Sequence, residues 1–257
     1  MRDRRGSYRK GLSRSIAVFV LACFGCKERP ATGASAVPAP APVASRLSAD
    51  GPKGSVHGVV RYGGPFTPRP PQRVSADLVA ACGEEVADRS VLLHDGALEN
   101  ALVTVDGAPL ATTPPGKAQV DQRGCAYLPP VVLARAGGQL AIVNSDQALH
   151  NVRGQAGAAS VFNVAMPLPQ TITRPLPQAP GVVELKCDVH PWMHGWVAVV
   201  DHALAALSSP SGDFRLDGVP AGLRTLTVWH PVLGSTHVSV TVEEGRVAEV
   251  AVDLAAR

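Results

Sequence analysis

The chain has 257 residues, of which 46% are hydrophobic and 18% are charged, so it is long enough for one or two domains with cores of their own. Its formal net charge of +3 is small, and much of the positive charge precedes residue 15. A nucleic-acid surface needs lysine and arginine clustered on a folded face, so the composition argues against a nucleic-acid partner. Abundant glycine and proline favour β-structure with many turns.

The N-terminus is typical of an export signal. A basic region ending at Arg14 is followed by the apolar run 16–22, which is too short to span a bilayer. The run leads to Cys23 and Cys26, an arrangement similar to a bacterial lipoprotein processing site. We expect residues 1–26 to be a signal peptide with Cys26 as the lipidated residue; lipidation of Cys23, or simple cleavage, are the alternatives. The mature protein is then periplasmic or anchored to the outer membrane.

Residues 27–53 are rich in alanine, proline, serine and glycine, which predicts a linker without a hydrophobic core. From residue 54 onward, short apolar runs alternate with turn signals, as expected for strands. We predict one or two helical turns at 76–81 and strands at 56–62, 101–105, 131–134, 139–144, 182–187 and 196–200. No longer amphipathic helix is evident, so the predicted class is mainly β.

The C-terminal segment 201–257 shows the clearest alternation of apolar and polar residues. It predicts four strands, each with one apolar face, at 214–217, 225–230, 238–242 and 250–254. Such a series of short strands predicts a small β-sandwich. In an alternative interpretation, the strands at 56–60 and 101–105 also belong to this sandwich. The two domains are then not separated by one boundary at residue 200.

The segment from Cys187 to Met193 places a thiol, the imidazole of His190 and a thioether close together in the sequence. Sulfur ligands combined with imidazole suit copper, and a weak axial methionine completes the blue-copper pattern. A second histidine is needed, and His150 follows the predicted strand 139–144. Zinc is the main chemical alternative for this donor set. His194, next to Met193, is an alternative ligand that we expect to face solvent.

Cys187 has two properties that suit a metal ligand. It shares the period-two face of its strand with Val183 and Leu185, so we expect its sulfur to lie at the core. A bound metal deprotonates such a buried thiol. Pairing of Cys82 with Cys125 would leave Cys187 as the free thiol of the exported chain, although connectivity does not follow from the sequence alone.

Several motifs together resemble the cupredoxin (blue-copper) family over about residues 55–200. The motifs are Asp121–Pro129, Asn144–Asp146, Leu149–Val152, Phe162–Asn163 and Cys187–Met193. More narrowly, the chain resembles exported bacterial cupredoxin-like proteins with a C-terminal carboxypeptidase-regulatory-like domain, whose motifs here are Ser211–Phe214, Gly218–Gly222 and Trp229–His230. The resemblance implies a Greek-key β-sandwich over 54–200, followed by a small transthyretin-like β-sandwich over 201–257.

The resemblance also implies the site. His150, Cys187 and His190 are the expected equatorial copper ligands, and Met193 is the axial one. Asn151 is expected to supply a hydrogen bond near the sulfur, which tunes the reduction potential. Cys82 and Cys125 are expected to form a disulfide. Two departures from the family pattern, Arg153 and His194, remove no ligand.

The expected function is one-electron transfer by one copper ion that cycles between Cu(I) and Cu(II), with a redox partner protein that the sequence does not identify. A non-redox copper holding or delivery protein is the first alternative, and a metal-free surface interaction module is the second. The chain contains no His-Glu-x-x-His and no Gly-x-Ser-x-Gly motif, so we expect it not to be an enzyme.

Overall fold

The computed structural model describes residues 46–254. The predicted signal peptide, both candidate lipidation residues Cys23 and Cys26, and most of the predicted linker lie outside this range. Within it, strands dominate and the only α-helix is the short α1 (Val79–Cys82), which confirms the mainly β class. No helix in residues 46–254 has the length and apolar character needed to cross a membrane.

The described chain contains 20 strands. In chain order they are β1 (Lys53–Arg61), β2 (Gln72–Arg73), β3 (Glu85–Val86), β4 (Leu92–His94), β5 (Ala97–Glu99), β6 (Leu102–Val105), β7 (Lys117–Gln122), β8 (Tyr127–Leu128), β9 (Val131–Arg135), β10 (Gln139–Asn144), β11 (His150–Ala156), β12 (Ala159–Met166), β13 (Gln170–Pro175), β14 (Gly181–Lys186), β15 (His194–Val200), β16 (Ala205–Leu207), β17 (Asp213–Pro220), β18 (Gly222–His230), β19 (Gly234–Val242) and β20 (Val247–Asp253).

Strands β7 to β15 form a first sandwich of two sheets. One sheet has the order β13-β10-β7-β8 and the other the order β12-β11-β14-β15-β9. Alternate residues of both sheets point inward, so Val120, Ile142, Val152, Val183 and Val197 share one buried cluster. The pairs β7–β10 and β9–β15 are parallel, while the strands that carry the candidate ligands run antiparallel.

Strands from both ends of the described chain form the second sandwich. Its sheets have the orders β17-β1-β5-β4, with β20 also paired to β1, and β16-β6-β18-β19. The expected boundary at residue 200 is therefore corrected: β1 lies between β17 and β20, and β6 between β16 and β18. Residues 201–254 do not form this sandwich alone, since the apolar faces of their strands pack around β1 and β6 residues such as Val56 and Val103.

A small cluster of side chains joins the two sandwiches. Trp229 of β18 packs with Leu102 of β6 and with Ala198 and Val200 of β15. The Trp229 side chain is 2% exposed. Since large aromatic side chains contribute heavily to buried contacts, this cluster attaches the first sandwich firmly to the second.

Gly58 in the middle of β1 lies where no side chain fits. A Cβ atom at this position would come within 2.4 Å of the Val250 carbonyl oxygen and 2.7 Å of the Phe214 ring. We expect Gly58→Ala to lower the free energy of unfolding by about 1–3 kcal/mol, because backbone and ring atoms must shift. Gly116→Ala is the matched control, since nothing lies within 4 Å of its Cβ position. Urea denaturation of both variants tests this; equal stabilities would contradict it.

His230 at the end of β18 makes stability depend on pH. It is 1% exposed, its Nδ1 accepts hydrogen bonds from the backbone N–H groups of Val232 and Leu233, and burial lowers its pKa to about 4. Below pH 6.5 the unfolded chain binds a proton at this histidine and the folded chain does not. The free energy of unfolding therefore decreases as the pH is lowered from 6.5 to about 4, where the folded histidine is protonated as well. The total loss from this residue is about 3 kcal/mol.

The variant His230→Gln isolates this contribution. We expect the loss of unfolding free energy between pH 7.5 and pH 4 to be smaller in His230→Gln than in the wild type by about 3 kcal/mol. Denaturant unfolding at a series of pH values measures both curves. Parallel curves for the two proteins would show that His230 titrates normally when folded.

Candidate metal centre

The candidate ligands converge at one end of the first sandwich because of strand pairing. Strand β11 runs antiparallel to β14, with Arg153 opposite Lys186, so the start of β11 lies beside the end of β14. His150 is the first residue of β11, and Cys187 directly follows β14. His190 lies in the connection from β14 to β15. Residues far apart in sequence thus meet at the same end of one sheet.

Three of the expected ligands form one buried cluster. The Nδ1 atoms of His150 and His190 are 2.9 Å apart, and Cys187 Sγ lies 3.7 Å from His190 Nδ1. Donor atoms of all three residues lie within 4.8 Å of one another. The two histidines are 0% exposed and Cys187 is 3% exposed. The cluster therefore presents two imidazole nitrogens and one sulfur to a common point that is shielded from water.

Met193 lies at the same end of the sandwich. It is buried and belongs to the same cluster of buried side chains as Cys187. Its backbone N–H donates to the His190 carbonyl over 2.9 Å, which closes a turn directly before β15. This turn links the position of the thioether residue to the position of the second histidine.

Asp146 is a site residue that the sequence reasoning did not assign. Its Oδ2 lies 2.9 Å from His150 Nε2, and the carboxylate also accepts the backbone N–H groups of Gly124 and Cys125 at 2.7 and 2.9 Å. The carboxylate fixes the ring orientation of His150, so that Nδ1 faces His190 and Cys187. A carboxylate behind a histidine is a common support for a metal ligand. The nearby Asn144-Ser-Asp motif was the available signal.

Burial and neighbouring groups shift the pKa values of His150, Cys187 and His190. Burial lowers the pKa of His150, but hydrogen bonds to Asp146 and Cys187 outweigh it and raise the pKa to about 9. Burial raises the pKa of the Cys187 thiol, and hydrogen bonds from His150 and nearby backbone amides reverse this to a net lowering. Burial and the charge of His150 both lower the pKa of His190. The contacts thus shift Cys187 toward the thiolate, His150 toward the imidazolium and His190 toward the neutral imidazole.

Asn151 contacts the surroundings of the sulfur through both its backbone and its side chain. Its backbone N–H is one of the groups that lower the pKa of Cys187. Its side-chain amide instead donates to Asn163 Oδ1 and Asp188 Oδ2, both at 2.9 Å. Asp188 also pairs with Arg153 at 2.9 Å, so the arginine charge is compensated locally. The side chain of Asn151 therefore ties the loop after Cys187 to β11.

The disulfide between Cys82 and Cys125 is present, and Cys187 is the free cysteine of the described chain. Cys125 also contacts two site residues through its backbone. Its N–H donates to Asp146, and its carbonyl accepts the Trp192 indole N–H at 3.2 Å. The Trp192 ring centroid lies 5.1 Å from that of His190. Trp192 thus packs against the ligand loop.

The remaining candidate donor residues lie outside the three-donor cluster. His194 is half-buried, lies 4.0 Å from Glu184 and stacks on Trp196, so it does not join the cluster. Met166 is paired with His150 across β11 and β12, but its sulfur accepts a hydrogen bond from Gln122 at 3.1 Å. None of the other histidines belongs to a group of metal-ligating side chains in residues 46–254.

The donor set fits copper. One thiolate, two imidazoles and a neighbouring thioether combine soft and borderline ligands in the pattern that copper prefers. Bonds of about 2.0–2.3 Å to nitrogen and sulfur place donor atoms roughly 3.3–3.8 Å apart around one ion. The observed sulfur–nitrogen distance of 3.7 Å lies in that range, while the 2.9 Å imidazole contact is a hydrogen bond that an ion would replace.

Among known proteins, only solved structures match this chain. No protein-family model matches the sequence, and no curated protein is significantly similar to it. A copper-containing nitrite reductase from Thermus scotoductus SA-01 aligns at 20% identity over 33% of this chain and 22% of its own, with a TM-score of 0.30. A Cu(I) form of an amicyanin variant aligns at 24% identity over 32% of this chain and 80% of its own, with a TM-score of 0.29.

A second amicyanin variant, in a reduced Cu(I) form at pH 4, aligns at 25% identity over 38% of this chain and 98% of its own, with a TM-score of 0.30. This chain therefore spans about a fifth of the nitrite reductase and most of each amicyanin. These alignments leave most of this chain uncovered.

Proposed function

We propose that this chain is an exported cupredoxin-like protein that holds one copper ion and transfers single electrons. The observation that carries the proposal is the buried convergence of His150, Cys187 and His190, whose donor atoms lie within 4.8 Å of one another. Met193 would supply the weak fourth contact. When bound, copper would supply the Cu(I)/Cu(II) couple, and the chain would supply the ligands and their orientation.

Electron transfer suits this cluster better than catalysis does. His150, Cys187 and His190 are almost fully buried, so the cluster offers little surface to a substrate. Hydrogen bonds to Asp146 fix His150, and those of Asn151 fix the Cys187 loop. A rigid donor set needs little rearrangement between the two oxidation states of copper. We therefore propose that the protein is not an enzyme.

A nonpolar surface near the cluster suits a redox partner protein. Leu149 and Val189, each directly before a histidine ligand, are 48% and 43% exposed. Leu168 is 63% exposed, and its carbonyl accepts a hydrogen bond from Asn144 beside the same loops. Exposed apolar side chains grouped near a functional site commonly mark a docking surface. We propose that a partner docks here and exchanges electrons through the His190 side of the cluster.

One observation favours copper holding or delivery as the second candidate function. A surface groove reaches Cys187 and is lined by Arg153, Lys186, Asp188 and His194. Such an opening would let an ion approach the sulfur without unfolding of the loop. A protein that only stores or delivers copper would keep it as Cu(I) and would not cycle its oxidation state.

Loading the full-length protein with Cu(II) tests the proposal. We expect uptake of one ion with intense visible absorption from thiolate-to-copper charge transfer, which ascorbate bleaches and oxygen or ferricyanide restores. Copper retained only as colourless Cu(I) would favour the holding protein. Preferential retention of zinc from an equimolar mixture of zinc and copper would count against both copper functions.

Export and lipidation remain proposals that concern residues outside 46–254. We propose that the mature chain lies in the periplasm, free or attached to the outer membrane through Cys26 or Cys23. Expression in a Gram-negative host with labelled palmitate tests both parts. Label in wild type that is absent from a Cys26→Ser variant would support lipidation of Cys26, and cytoplasmic retention of the whole chain would contradict export.

A further inference from the structure

The disulfide lies against the candidate metal cluster rather than at a distance from it. The sulfurs of Cys82 and Cys125 and a ring nitrogen of His190 lie within 4.8 Å of one another. Cys125 Sγ also lies within 4.8 Å of a nitrogen of His150 and an oxygen of Asp146. Both cysteines are at least nine-tenths buried. The three cysteines of the described chain therefore surround the two buried histidines.

His190 has a free nitrogen in these surroundings. Its Nδ1 is engaged by His150 at 2.9 Å and by Cys187 at 3.7 Å. Its Nε2 is buried and has no hydrogen-bond partner. A buried polar atom without a partner is costly, and one in a native fold calls for an explanation such as an ion. The unpartnered atom is a second observation, separate from the cysteines, that a bound ion or water would explain.

We propose that reduction of the Cys82–Cys125 disulfide creates a second metal site, which binds Cu(I) through the two thiolates and His190. Thiolates are soft ligands that select Cu(I), and imidazole suits copper equally. A metal–sulfur bond of about 2.3 Å puts coordinating atoms roughly 4 Å apart, and a ring nitrogen of His190 lies within 4.8 Å of both sulfurs, so the imidazole is within reach of an ion held by the thiolates. The main structural change on reduction is an increase in the distance between the Sγ atoms of Cys82 and Cys125.

The redox step balances with a phosphine or a dithiol as reductant. A phosphine breaks the sulfur–sulfur bond, takes an oxygen atom from water, and leaves two thiols and a phosphine oxide. A dithiol transfers two electrons and two protons and becomes a disulfide itself. Cu(I) then displaces the thiol protons, and no further oxidant or reductant is consumed.

The site would connect copper uptake with the redox state of the chain. Reduced protein would hold Cu(I) at the thiol pair, beside the Cys187 cluster and sharing His190 with it. Thiol–disulfide exchange with a small-molecule disulfide, which takes up the two electrons with two protons and leaves as two thiols, would re-form the Cys82–Cys125 bond; this removes two of the three donors and releases the ion next to the other cluster. The proposal goes beyond the proposed electron transfer and does not require that Cys187 bind copper.

Cu(I) titration of the full-length Cys187→Ser variant tests the proposal, with bicinchoninate as the competing chelator. This variant lacks the sulfur of the electron-transfer site, and serine at Cys23 and Cys26 in every variant removes the other two thiols, so a gain on reduction reports the Cys82–Cys125 pair. We expect the protein reduced with tris(2-carboxyethyl)phosphine to bind one more Cu(I) equivalent than the oxidised protein. X-ray absorption of the reduced form should show two sulfur ligands. The matched control, Cys125→Ser in the same background, should show no gain.

Two further measurements make the outcome decisive. Cys187→Ser/His190→Asn should bind the extra Cu(I) more weakly than Cys187→Ser if the imidazole is a ligand. Reduced protein in urea reports the affinity of the unstructured thiol pair. The proposal is overturned by equal Cu(I) uptake with and without phosphine, or by equal affinities in the folded and urea-unfolded chains. Neither result bears on the visible absorption of oxidised wild-type protein loaded with Cu(II), which tests the electron-transfer site separately.

Discussion

Replacement of Cys187 with serine is expected to abolish the visible absorption of the Cu(II)-loaded protein. The absorption requires a thiolate bound to copper, and a serine hydroxyl at the same place is neither soft nor readily deprotonated. The three remaining candidate donors, His150, His190 and Met193, would still offer a weaker site. We therefore expect some copper to remain bound, without the intense colour. Visible absorption and copper analysis after dialysis measure the two effects.

His194→Asn is the control for this substitution. His194 lies close to Cys187 in sequence, yet it stacks on Trp196 and stays outside the donor cluster. Its replacement should leave the position and intensity of the absorption band unchanged. A Cys187→Ser protein with the same band as wild type would refute the copper–thiolate site, whatever its copper content.

Replacement of Asp146 with asparagine should have the second-largest effect. The carboxylate accepts two backbone N–H groups and orients His150 through Nε2, whereas an amide has fewer acceptor positions and must turn its NH₂ group toward one of these donors. Loss of such a support behind a ligating histidine typically weakens metal binding by about 10–100-fold. Because the carboxylate also makes His150 a more basic ligand and so favours Cu(II), the reduction potential should rise.

Asp121→Asn is the matched control for Asp146→Asn. Asp121 belongs to β7 and contacts Ser145 and Arg123, not His150. The same chemical change there should leave copper affinity and potential at wild-type values. Chelator competition gives the affinity, protein-film voltammetry gives the potential, and urea unfolding verifies that both variants fold. Wild-type affinity and potential in a folded Asp146→Asn protein would show that Asp146 has no role in orienting His150.

Local patterns predicted much of the site. The period-two alternation of Val183, Leu185 and Cys187 placed the sulfur on the core face, and all three side chains are buried. The strand 139–144 coincides with β10, so the sequence located the start of the connection that leads to His150. Such features depend on neighbours in sequence, which a single chain displays directly.

Features set by contacts between distant residues were missed. In the sequence, Asp146 has the pattern of an ordinary turn residue. Its role in orienting His150 depends on the N–H groups of Gly124 and Cys125, which come from a different loop. The hairpin of β11 and β12 went unpredicted because polar residues such as Asn163 interrupt the alternation of its strands. The position of β1 in the second sandwich depends on pairing with β17 and β20, which no local pattern specifies.

The placement of β1 has a consequence for how the chain folds as it is made. β1 appears before the whole first sandwich, but its partners β17 and β20 come only at the end of the described chain. The backbone pair Ala111 N–H to Asp201 O, at 3.0 Å, fastens the two ends of the intervening segment to each other. Contacts between residues so far apart in sequence form slowly, while nearer strands pair sooner. We therefore expect the first sandwich to form before β1 has paired with β17 and β20, so that β1 stays exposed until the last strands are synthesised.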